Sequence, residues 1–159
     1  MLKIIYSRVA PWECVPKKIN KLYIKMEDSC RKGKKIIAQY YCYLIERRYR
    51  CRISPGAKID FGLKMPHPEG VVIGEKATIG QNVTIYQQVT IGQNHGKYPV
   101  IGDNVIVYAG AKIVGGIHIG DNCIVGANAV VTNDVPDNSI VGGIPAKVIK
   151  KRSSEEKYF

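Results

Sequence analysis

A six-residue spacing of aliphatic side chains runs through most of this chain and leaves few ways to fold it. From Ile53 onward an inward-suited residue returns at Ile59, Met65, Ile73, Ile79, Ile85, Ile91, Ile101, Val107, Ile113, Ile119, Val125, Val131 and Val141, and all but three of the steps are six residues. Glycine follows that residue at 74, 80, 92, 102, 120, 126 and 142, and the fourth position after it is small or apolar in Ala57, Ala77, Val83, Val89, Val105, Ala111, Cys123 and Ala129. A helix of 3.6 residues per turn cannot keep such a column on one face. Hairpins between strands of ordinary length do not fit into six residues either. A short strand plus a turn does fit. Three such units make a coil, and coils stack about 4.8 Å apart with each strand paired to those above and below. Glycine or asparagine then occupies the tight corners, where positive φ is required, and Asn82, Asn104, Asn122 and Asn128 suit those places. The expected fold is mainly β, a β-helix of about five coils over residues 53–149.

The interruptions point to function, because insertions in a solenoid become loops on a binding face. Two extra residues between Met65 and Ile73 form a bulge carrying His67, and four between Ile91 and Ile101 form a loop carrying His95 and Tyr98. The third break, between Val131 and Val141, is expected to close the last coil. Counting units by corner places His67, Gln87/Gln88, Ala109/Gly110 and Ala127/Asn128 on the third corner of successive coils. They should form an edge roughly 14 Å long, comparable with a pantetheine arm. Small residues at its far end (Ala109, Gly110, Gly126, Ala127) would let a ligand reach backbone amides.

Residues 1–52 read differently. They hold 14 Lys/Arg against four acids, whereas residues 53–159 hold ten against nine. Lys17 to Cys30 and Lys34 to Arg50, separated by Gly33, space their apolar residues by three and four, which predicts two amphipathic helices. These should cap the first coil, whose strand edges would otherwise stay open. The charge with its interleaved tyrosines suits an anionic membrane surface, although such runs are ordinarily solvated helical faces; nucleic acid is not an expected partner. Residues 150–159 read as a C-terminal tail. No signal peptide or membrane span is predicted, and five cysteines without CxxC spacing favour free thiols. The expected location is cytoplasmic, with peripheral contact at the inner face of the membrane through the basic arm.

Arg52-Ile53-Ser54-Pro55-Gly56-Ala57-Lys58-Ile59, His67-Pro68-Glu69-Gly70-Val71-Val72-Ile73-Gly74, Gln87-Gln88-Val89-Thr90-Ile91-Gly92, Ala109-Gly110-Ala111-Lys112-Ile113 and Gly143-Ile144-Pro145-Ala146-Lys147 together resemble the bacterial hexapeptide-repeat acyltransferases, and among them the serine O-acetyltransferases most. The resemblance implies a left-handed β-helix, a homotrimer, and acetyl-CoA bound as co-substrate between neighbouring subunits, with no metal. It makes His67 the general base that takes a proton from the acceptor hydroxyl, which then attacks the thioester directly. An imidazole of ordinary pKa, about 6.5, suits that task. Gly92, Ala109 and Ala127 match cofactor-contacting positions, and Lys147, Lys150 and Lys151 are placed either to meet CoA phosphates or as part of a solvated tail. Gln88, His95 and Tyr98 are the expected acceptor contacts.

Departures from the serine enzymes bear on the acceptor. Arg52 and Pro66 stand where those enzymes have aspartates, and Tyr98 where they have a second histidine. Glu69 is the nearest carboxylate that could orient the imidazole; it could equally be a surface glutamate. Without carboxylates to hold an ammonium, the acceptor expected from sequence is a sugar of capsule, lipopolysaccharide or exopolysaccharide synthesis, with serine as the alternative and a non-catalytic trimeric scaffold as a reading of another class. His67, His95 and His118 are spaced by 28 and 23 residues, which lacks the short-range pair expected of a zinc site on this fold.

Overall fold

The computed structural model describes residues 11–152, with side chains from residue 18 onward. The beginning of the basic arm and the end of the predicted tail lie outside those residues. The repeat forms a three-sided parallel solenoid. Sheet A contains β1 (Arg52–Ile53), β3 (Val72–Ile73), β6 (Thr90–Gly92), β9 (Lys112–Val114) and β12 (Val130–Val131). Sheet B contains β2 (Lys58–Ile59), β4 (Thr78–Ile79), β7 (Val100–Ile101) and β10 (His118–Ile119). Sheet C contains β5 (Thr84–Ile85), β8 (Ile106–Val107), β11 (Ile124–Val125), β13 (Ser139–Gly142) and β14 (Lys147–Lys151). Every pairing along the solenoid is parallel and in register, as in Ile73 with Ile91 and Ile91 with Ile113. Only β14 runs antiparallel, folding back on β13.

Three turns carry a named strand on each side. The first and last replace one strand with an isolated bridge, Lys64 with Thr84 and Val135 with Ile119. The count of about five coils therefore holds only if these two incomplete turns are included. The third break lies within the last coil: Val135 continues sheet B, and β13 completes the coil before β14 reverses. Every residue of the inward column is buried except Ile59, which is partly buried against the core. The corners explain the asparagines. Asn82, Asn104, Asn122 and Asn138 stack at the second corner with φ between 54° and 56°, and each amide donates to a carbonyl one coil below, as Asn104 N does to Gln81 O at 2.8 Å.

Two helices close the open end. α1 (Pro11–Arg31) starts earlier than the apolar spacing indicates, and α2 (Lys35–Tyr49) follows Gly33, whose φ is 68°. Strand β2 lies at the edge of its sheet, so its outward backbone groups have no coil below them. The Tyr23 hydroxyl of α1 supplies the missing partner twice, donating to Ala57 O and accepting from Ile59 N, both at 3.0 Å. Asn20 Nδ2 donates to Leu63 O at 3.4 Å. Four of the cysteines, Cys30, Cys42, Cys51 and Cys123, are free thiols.

Burial pushes the Tyr23 phenol up to about 12, only partly offset by the bond from Ile59, and pushes the Cys51 thiol up to about 12 as well. Both groups hold their protons more tightly folded than unfolded. Their contribution is complete below the unfolded values, about 9 for the thiol and 10 for the phenol, and is lost as pH rises through about 12. Tyr23→Phe should lower stability at pH 8 by about 1–3 kcal/mol, since two edge groups lose their partner, and should flatten the alkaline slope. Urea denaturation at pH 8 and pH 11 would check both effects.

Candidate active site

The third corner forms the predicted edge. Gln88 N donates to Glu69 O, Gly110 N to Gln87 O and Asn128 N to Ala109 O, each at 2.9 Å, so these residues stand above one another coil by coil. Gly70, Gln88, Gly110 and Asn128 all have positive φ, from 56° to 74°. At Gly110 the requirement is double, because a Cβ there would also collide with the Asn128 side chain. Upper residues of this edge are small, and among the described residues the Ala109 and Ala127 amides have no hydrogen-bond partner. Gln87 Oε1 is buried with no donor in reach. The edge therefore offers two amide donors to whatever lies along it.

His67 sits at the foot of this edge, on the bulge between Lys64 and β3, and is exposed. It makes no hydrogen bond or ion pair among the described residues, and neither does the Glu69 carboxylate, which is also exposed. Lys112 Nζ donates to Gln88 O at 2.6 Å, fixing the corner one coil above.

The four-residue insertion at the first corner sends its residues in opposite directions. Asn94 and Lys97 exchange hydrogen bonds of 3.0 Å around His95 and Gly96, both at positive φ, which is the geometry of a tight two-residue turn. The turn leans toward the fourth coil, where a Cβ on Gly116 would meet Lys97 at 2.8 Å. Tyr98 instead folds down over the second coil, its ring where a Cβ on Gly74 would stand, 2.7 Å away. Glycine at 74 is thus required by the tyrosine rather than by backbone conformation.

Beneath Tyr98 lies a cleft of about 760 Å³, walled by α2 and the first corner and lined by Lys35, Arg52, Glu75, Gly92, Gln93 and Tyr98 among others. Two predicted contacts, Gly92 and Tyr98, meet there. His95 does not line it, and Ala109, Gly110, Gly126 and Ala127 lie across sheet A on the other corner. Within one chain, then, the predicted site is divided into two halves. Lys147 and Lys150 lie on exposed β14 at the far end of the solenoid; the strand continues through Lys151, past the point where the sequence suggested a tail. Glu75 and Lys35 were not singled out by the sequence. Glu75 occupies an ordinary corner position of the repeat, and only the fold shows that it faces α2.

The three histidines do not converge: His67 is at the third corner of the first coil, His95 at the first corner of the third, and His118 on the outer face of sheet B. Among the described residues no group of three or more His, Cys, Asp or Glu could hold a metal ion.

Comparison with known proteins bears on what these halves do. Residues 98–133 match the family described as bacterial transferase hexapeptide (six repeats). A serine acetyltransferase of Staphylococcus aureus (strain COL) is 49% identical over 103 residues, 62% of this chain and 48% of the relative. That of Buchnera aphidicola is 36% identical over 131 residues, 79% of this chain and 48% of the relative. Among solved structures, the serine acetyltransferase of Vibrio cholerae superposes with a TM-score of 0.82 at 33% identity, covering 86% of this chain and 54% of that one. A serine acetyltransferase in complex with CoA gives 0.80 at 34% identity, covering 82% and 56%. The chain thus spans about half the length of these relatives.

The matches bear out the resemblance to the hexapeptide-repeat acyltransferases and the left-handed β-helix. They overturn the sugar acceptor and the place in polysaccharide synthesis, since the relatives are serine acetyltransferases. The absence of aspartates at 52 and 66 argues against serine from sequence alone, but the cleft is lined by another carboxylate, Glu75. Nothing in the comparisons supports membrane contact by the basic arm. No helix among the described residues is long and apolar enough to cross a membrane.

Proposed function

We propose that this chain, a hexapeptide-repeat acyltransferase by its repeat and fold, is an acetyl-CoA-dependent serine O-acetyltransferase. The observation that carries the reading is its 49% identity over 103 residues to an enzyme of that name. The divided site supports a homotrimer. The third-corner edge of one subunit would face the first-corner cleft of the next, with His67 of the partner subunit at the level of the cleft. Acetyl-CoA would lie along the edge, its amide-bearing arm meeting the Ala109 and Ala127 amides past Gly110 and Gly126, with Lys147 and Lys150 toward its phosphates. Serine would occupy the cleft near Tyr98, within reach of Gln88, while His95 borders the entrance.

His67 would then take the proton from the serine hydroxyl as its oxygen attacks the thioester carbonyl. The new C–O bond forms, the C–S bond breaks, and the imidazolium returns the proton to the leaving thiolate. Glu69, two residues along the chain, is the carboxylate that would orient the ring. Purified protein with acetyl-CoA should release CoA when serine is added, and not when free sugars or nucleotide sugars replace it. Release with a sugar and none with serine would sink the proposal. Light scattering should give the mass of three chains.

A further inference from the structure

The acetyl-transfer reading leaves open how an acceptor is held once both expected aspartates are gone, and the inference here rests on that reading. The cleft beneath Tyr98 carries two cations, Lys35 of α2 and Arg52 of β1, and one carboxylate, Glu75, from the corner after β3. Arg52 lies 3.6 Å from Glu46, with both side chains about half exposed, 49% and 51%. That separation is too long for a hydrogen bond, so the planar set of guanidinium donors is not used up by Glu46. The Glu75 carboxylate makes no hydrogen bond or ion pair among the described residues. Its place is set by the backbone: a Cβ on Gly56, one coil below, would stand 3.1 Å from Glu75 O and 3.2 Å from its Cγ. Only a residue without a side chain lets Glu75 settle against that corner.

A cleft lined by two cations and a single anion suits a ligand that carries both charges. A guanidinium fork matches a carboxylate in two parallel bonds, and a carboxylate without a partner matches an ammonium. A neutral hydroxyl acceptor would leave the Lys35 and Glu75 charges uncompensated in the cleft, which is unfavourable once water is displaced.

We infer that Arg52 and Glu75 form a clamp for a zwitterion: Arg52, with Lys35 beside it, holds the carboxylate of an α-amino-β-hydroxy acid, and Glu75 holds its ammonium. The clamp fixes both ends of the amino acid and leaves its hydroxyl as the group free to turn toward the base. Arg52 and Glu75 are specificity-determining residues in this scheme, and neither touches the proton that is transferred.

The test pairs two variants with two acceptors that each lack one charge. Serinamide has no carboxylate, and 3-hydroxypropionate has no ammonium. Arg52→Gln and Glu75→Gln are substitutions at exposed positions, and unchanged melting temperature and CoA binding would show that each variant is folded. The wild-type protein should prefer serine to either analogue by about 10- to 100-fold in kcat/KM, as expected for one lost charge-assisted contact. Glu75→Gln should lose the preference over 3-hydroxypropionate and keep that over serinamide; Arg52→Gln should do the reverse. The KM for acetyl-CoA should not move in either. Serine turnover with analogue preferences unchanged in both variants would overturn the clamp and leave the acetyltransferase reading standing. Absence of serine turnover by the wild-type protein would overturn both.

Discussion

His67→Ala should lower serine-dependent CoA release by about 10²- to 10⁴-fold, the usual contribution of a positioned general base, while CoA affinity and the mass of the assembly stay as they are. The separation follows from where the residue sits. His67 is exposed on a two-residue bulge and packs against nothing in the buried column, so its removal opens no cavity. The residues proposed to hold CoA, around Ala109 and Ala127, stand two and three coils above it on the same edge, and the backbone bonds of that edge do not involve His67. Steady-state CoA release read beside calorimetric CoA binding distinguishes the two effects. Turnover near the wild-type level would remove His67 from the base role. Loss of CoA binding would instead mean that the bulge shapes the edge.

The largest expected effect on stability comes from the middle of the column. Ile113 is fully buried in β9, between Ile91 below and Val131 above. Ile113→Ala should cost about 2–5 kcal/mol, the lost transfer energy plus that of the cavity. A solenoid has no distant contacts to share such a loss, because each coil touches only its neighbours. The cavity should therefore weaken the stacking of the third and fifth coils on the fourth. Hydrogen exchange should show protection falling in sheet A strands on both sides of β9, with α1 and α2 little changed. Loss of protection confined to β9 itself would contradict nearest-neighbour stacking.

The buried column, the columns of asparagine and the third-corner edge were all legible in the sequence, because the six-residue period fixes which side chains share a face. The helices were legible from their apolar spacing, and so was their role, since an end coil must satisfy its open strand edge; the Tyr23 hydroxyl does this in a way no pattern specifies. What stayed hidden depends on contact between elements distant in the chain. Glu75 reads as one more polar corner residue until α2 is seen beside it. Tyr98 and His95 are three residues apart in one loop, and nothing in that spacing tells that one descends over Gly74 while the other leans toward Gly116. The acceptor is illegible in sequence for the same reason: positions 52 and 66 carry no carboxylate, and the one that lines the cleft, Glu75, comes from another coil.

The register of the solenoid also sets a ruler. The level of His67 and the level of β14 are separated by whole coils, so the span between them can change only in steps of about 4.8 Å. Inserting or deleting three hexapeptides would lengthen or shorten the edge by one step and leave every column intact. A single-residue change within a strand would turn each later side chain onto the wrong face. Chains built this way can be matched to longer or shorter ligands by adding or removing storeys, with the chemistry at the foot of the edge untouched.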